Sequence, residues 1–132
     1  MKKEKFNKNM SKNINNFYDL TAWKEVHLLV LGVYKITKTL PSEEMYGITS
    51  QIRRASSSIT ANIAEGFSRY HYKDKVRFYY QARGSISEVQ SFLILSRDLG
   101  YISTEQCSEL GERANQVRQL LNGLIRATSN QI

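Results

Sequence analysis

Nine consecutive residues, Arg69, Tyr70, His71, Tyr72, Lys73, Asp74, Lys75, Val76 and Arg77, hold four basic side chains, one acid and three rings. Basic side chains neutralise phosphates and aromatic rings stack on bases, so this stretch carries the chemistry of nucleic-acid binding. Arg53, Arg54 and Arg83 extend the patch if they point outward. The competing reading is a solvated basic loop whose tyrosines fold back on the protein. No helix-turn-helix or zinc-finger pattern accompanies the stretch.

Catalytic chemistry finds little support. The two histidines, His27 and His71, and the single cysteine, Cys107, have no metal-ligand spacing. The Glu-x-x-His pairs of di-iron bundles are missing. So are a phosphate-cradling glycine loop and a Gly-x-Ser-x-Gly elbow. Glu43 and Glu44 are adjacent and suit the positive end of a helix dipole. Cys107 falls on an apolar stripe, where it reads as a small hydrophobe. The expectation is a protein that is not an enzyme and needs no cofactor or metal.

The formal net charge is +7. Residues 1–16 hold Lys2, Lys3, Lys5, Lys8 and Lys12 against Glu4, together with five Asn, and read as a disordered basic tail. No apolar stretch follows the lysines, so the tail is not a signal peptide. Residues 17–132 carry the remaining +3 and are long enough for one cored domain. The longest apolar run, Leu28–Leu31, is too short to span a bilayer. A lone cysteine suits a cytoplasmic protein.

The elements that must position the basic stretch are all helical. Ala22, Val26, Leu29, Val33, Ile36 and Leu40 step by three and four, which predicts a helix over about 21–40, stopped by Pro41. Met45, Ile48, Ile52, Ala55, Ile59, Asn62 and Gly66 predict a second helix over about 43–66, with Gly66 as its stop. Phe78, Ala82, Ser85, Val89, Phe92, Ser96 and Leu99, widened by Tyr79, Ile86 and Leu93, predict a third over about 72–99. Ser103 with Gln106 forms a capping box ahead of a fourth over about 104–128. The fold class is all-α. Short loops between long helices argue for an antiparallel up-down four-helix bundle.

Some residues ask for more than a core. Leu28 and Leu31 lie opposite the core stripe of the first helix, among Lys24, Lys35 and Lys38. They predict a subunit interface, although single exposed leucines are normal. Gly84 sits inside a helix, where glycine costs about 1 kcal/mol against alanine. Its return is close approach of either a neighbouring helix or a neighbouring subunit. Asn62 on a core position needs amide partners, and Glu65 can pair with Arg69.

Three stretches carry a family resemblance: Phe17-Tyr18-Asp19-Leu20 with Trp23, Tyr34 and Leu40-Pro41; Gln51 to Arg69, QIRRASSSITANIAEGFSR; and Gly84-Ser85 with Glu88 and Leu99-Gly100-Tyr101-Ile102. Over about residues 17–127 the chain resembles the bacterial four-helix-bundle proteins first noticed as products of 23S rRNA intervening sequences. The accessory variability proteins of diversity-generating retroelements belong to the same group. The resemblance implies a homopentamer with a basic surface, binding to RNA or DNA, and, in the retroelement branch, a reverse transcriptase as partner. It assigns Arg53, Arg54, Asn62, Glu65 and Gly66 to fold and assembly rather than to catalysis.

Overall fold

The computed structural model describes residues 14–132. Lys2 to Lys12 of the expected tail lie outside the described residues. Ile14 packs against the core, three residues before the boundary read from composition.

Four α-helices carry the described chain: α1 (Thr21–Thr37), α2 (Ser50–Ser68), α3 (Tyr72–Asp98) and α4 (Thr104–Ser129). No strand occurs among the described residues. α1 packs against α2 and α4, and α3 against α2 and α4, so α1 and α3 lie across the bundle from each other. A 3-10 turn, Phe17–Asp19, leads into α1 and also touches α2.

The third and fourth helices follow the sequence closely. Ser103 Oγ accepts the Gln106 N–H and Gln106 Oε1 accepts the Ser103 N–H, so the capping box forms. Gly100 ends the α3 corner with φ +80°, a conformation glycine adopts without a Cβ penalty.

The second helix departs from expectation. The predicted continuous helix from 43 is instead a 3-10 turn, Ser42–Glu44, a π-type turn, Met45–Thr49, and then α2. Gly47 is non-helical at φ −110° and ψ −115°. The Glu44 carboxylate caps this start by accepting the Ile48 N–H at 3.3 Å. It also accepts the Tyr101 hydroxyl at 3.0 Å, tying the α1–α2 loop to the α3–α4 loop at one end of the bundle.

The core differs from the expected stripe where a strict three-four count outruns the helix. Such a count averages 3.5 residues per turn against a true 3.6. On α2 the buried residue after Ile59 is therefore Ile63, not Asn62, and on α4 the one after Leu121 is Ile125, not Leu124. Met45 and Leu99, expected inside, are exposed. Asn62 is half-buried and donates to the Ser58 carbonyl and hydroxyl at 2.9 and 3.1 Å. Ser58 Oγ also accepts the Ser85 hydroxyl at 3.2 Å, joining α2 to α3.

Gly66 is not a stop, since α2 runs on to Ser68. A Cβ there would lie 2.7 Å from Tyr79 Cε1 and 3.0 Å from Phe78 Cβ. Gly66 is therefore the place where α3 approaches the α2 backbone most closely enough to forbid a side chain. Burial also pushes the Tyr79 hydroxyl up to about 12.

Candidate nucleic-acid interface

Arg69, Tyr70 and His71 link α2 to α3, with Arg69 and His71 in extended conformation, so the corner is three residues long. α3 then begins at Tyr72, with Asp74 in its first turn. This places Arg69, Lys73 and Arg77 on one end of the bundle, with both guanidiniums over the same ring. Arg69 Cζ lies 4.7 Å and Arg77 Cζ 5.6 Å from the Phe78 centroid. Each guanidinium also meets an acid: Arg69 with Glu65 at 3.3 Å and Arg77 with Asp74 at 3.7 Å. The side chains in both pairs are strongly exposed, so the pairs contribute little to stability but restrict where the cations sit. Lys73 is exposed.

Tyr70 is 88% exposed and its ring stands edge-to-face with His71 at 5.0 Å. Tyr72 is 45% exposed. The tyrosines are thus not folded back on the bundle.

Lys75 differs from its neighbours. Its Nζ donates to the Phe67 carbonyl at 2.5 Å and reaches the Gly66 carbonyl at 3.5 Å. It thereby supplies a donor to the Phe67 carbonyl at the α2 C-terminus, while the Gly66 carbonyl also accepts the Arg69 N–H at 3.2 Å. Partial burial lowers its pKa, as expected for an ammonium drawn away from water. Lys75 is a structural cap of the corner, not an available phosphate ligand.

The structure does not bring three other expected residues to the patch. Arg53 lies in the first turn of α2 and Arg69 just past its end, so they are separated by about 24 Å along its axis. Arg53 donates from Nε to Thr37 Oγ1 at 2.8 Å and lies 4.7 Å over Tyr34, bracing α1 against α2. Arg54 is exposed near the same far end and bonds Gln51 at 2.7 Å. Arg83 turns to α4, where its guanidinium donates to Asn122 at 3.0 Å and stacks on Tyr80. With Gln90–Asn115 and Arg118–Ser87, it belongs to a polar seam between α3 and α4. Sequence reasoning passed over Phe78 as a site residue. Its signal was an aromatic nine positions after Arg69 and directly after Arg77.

The remaining positions are placed plainly. Leu28 and Leu31 are 46% and 53% exposed on α1. Gly84 is exposed on α3, and a Cβ there would meet nothing within 4 Å. Close approach within the chain therefore does not explain Gly84. Cys107 is buried, with Sγ 3.6 Å from the Leu93 carbonyl. Among the described residues no His, Cys, Asp and Glu cluster has metal-holding geometry, and no helix is long and apolar enough to cross a membrane.

These features define a class: an all-α helical bundle with a basic corner. The chain belongs to the family of 23S rRNA-intervening sequence proteins, whose model matches residues 18–123. It is similar to a crystal structure of a protein of unknown function from the S23 ribosomal protein family of Bacteroides thetaiotaomicron VPI-5482. That likeness has a TM-score of 0.74 at 23% identity and covers 80% of this chain and 98% of the other. No curated protein matches this chain.

Proposed function

We propose that this protein is a non-enzymatic, oligomeric nucleic-acid-binding module, with RNA as its preferred ligand, working in the cytoplasm. The observation that carries the reading is the pair of guanidiniums of Arg69 and Arg77 held over Phe78, beside exposed Lys73 and Tyr70. Planar guanidiniums on an aromatic ring are already ordered, so phosphate binding costs less side-chain entropy than it would with free lysines. Counting Glu65, the corner from 65 to 77 carries four bases against two acids, a modest net charge that still favours an anion.

In this reading the helices run up, down, up, down, and copies assemble into a homopentamer. Ser58–Ser85 and Gly66–Tyr79 pair rising numbers on α2 with falling numbers on α3, which supports the antiparallel order. Leu28 and Leu31 on α1 and Gly84 on α3 lie on opposite sides of the bundle. Two different faces suit a head-to-tail contact, which closes into a ring, better than a two-fold dimer. The same leucine face also fits a second reading, a structural adaptor for a protein such as a reverse transcriptase.

The test compares the full chain with a variant carrying Arg69→Gln, Lys73→Gln and Arg77→Gln. Lys75 is left in place because it caps α2. Anisotropy titrations with labelled RNA at several salt concentrations should show affinity falling steeply with salt for the wild type. The variant should bind about tenfold more weakly, with a salt slope shallower by about two, since each lost phosphate contact removes about 0.7 from it. Equal affinity and slope in both proteins would remove the corner from the account, and would favour the adaptor if the wild type also fails to bind.

A further inference from the structure

Tyr70 has no structural task that explains it. Its ring is 88% exposed in the three residues between α2 and α3, and its neighbour His71 is exposed too. Such exposure costs the fold nothing, since the ring is equally in water in the unfolded chain, but unlike Tyr46, which is 92% exposed, Tyr70 stands between Arg69 and Lys73, where a free π-face and cations come together. Around it the cations are few. Lys75 is committed to the α2 carbonyls, Arg69 and Arg77 are partly offset by Glu65 and Asp74, and Lys73 alone of the four lacks either duty. Three cations, two of them partly neutralised, give a weak grip on phosphate alone. A base stacked on Tyr70 would add more than any one of them.

Resting on the nucleic-acid reading above, we infer that the corner is selective for single strands, with Tyr70 as the platform on which one unpaired base stacks while Arg69, Lys73 and Arg77 hold the flanking phosphates. The geometry agrees with an open strand. Tyr70 and the Phe78-bound guanidiniums occupy one corner only a few residues long, so base and backbone can be engaged together. In a duplex the bases are closed into the stack and their faces cannot reach the ring, which leaves only phosphate contacts. Stacking tolerates any base, so no sequence preference is expected. Tyr72, half as exposed and already in the first turn of α3, contributes less.

The test uses the full chain, Tyr70→Ala and Tyr70→Phe, with labelled single-stranded RNA, single-stranded DNA and a blunt duplex of the same sequence. Tyr70 is so exposed that neither change should disturb folding, which circular dichroism checks. Single strands should bind the wild type more tightly than the duplex. Tyr70→Ala should lose about tenfold in single-strand affinity, the size expected for one stacked base. It should leave duplex binding unchanged, and Tyr70→Phe should retain single-strand affinity. Tight binding of RNA but not DNA would place a 2′-hydroxyl contact beside the same platform. If Tyr70→Ala binds single strands as well as the wild type while the Arg69, Lys73 and Arg77 variant does not, the inference is overturned and the broader reading stands. If the wild type binds none of the three probes, both fall.

Discussion

Gly66→Val should lower the stability of the bundle by about 3 kcal/mol and its thermal midpoint by about 10 °C. A Cβ at Gly66 would sit 2.7 Å from Tyr79 Cε1 and 3.0 Å from both Tyr79 Cδ1 and Phe78 Cβ. Tyr79 is 1% exposed, and its ring cannot swing aside without opening the core around Ala82 and Ile86. Valine adds two further methyl groups to a space that rejects the first. The gain in helix propensity over glycine, well under 1 kcal/mol for valine, cannot offset this. Gly84→Ala is the internal comparison. It meets nothing within 4 Å, so the fold itself should not lose stability. Thermal melts followed by circular dichroism would check both, and an unchanged midpoint for Gly66→Val would show that the α2–α3 approach is looser than described.

Leu28→Glu combined with Leu31→Glu should convert the proposed oligomer into a folded monomer. Each leucine is about half exposed in the single chain, so covering both in an assembly contributes about 2 kcal/mol per contact. Two carboxylates in the same place would lose that contribution and add the cost of burying unpaired charge, several kcal/mol more. The fold should survive, because neither leucine belongs to the core, which α1 builds from Val26, Leu29, Val33 and Ile36. Light scattering reads the mass and circular dichroism the helicity. An oligomer of unchanged mass would place the interface elsewhere, and a variant without helical signal would show that the two leucines support the fold itself.

Much of the architecture was legible because helices declare themselves through spacing. α3 and α4 appear within a residue or two of their expected ends, and the Ser103–Gln106 capping box forms as read. The start of α2 was not legible. Nothing in the spacing of Met45 and Ile48 distinguishes an α-helix from the 3-10 and π turns, which depend on the Glu44 carboxylate capping a backbone amide and holding Tyr101 from another loop. The candidate site was legible only in part. The run from Arg69 to Arg77 marked the corner, but charge alone does not say which cations are free. Lys75 is drawn inward by helix carbonyls, Arg53 by Thr37 and Tyr34, and Arg83 by Asn122, all partners distant in sequence. Gly66 was misread for a related reason. Its spacing resembles a helix stop, while its actual role depends on a ring thirteen residues later.

The most direct test of the central claim is amide hydrogen exchange, read segment by segment, of the full chain with and without single-stranded RNA at low salt. A corner that holds the strand should show slowed exchange over residues 65–78 on binding, with little change near Arg53, Arg54 and Arg83. Protection confined to residues 1–16, or to the α1 face around Leu28 and Leu31, would contradict it.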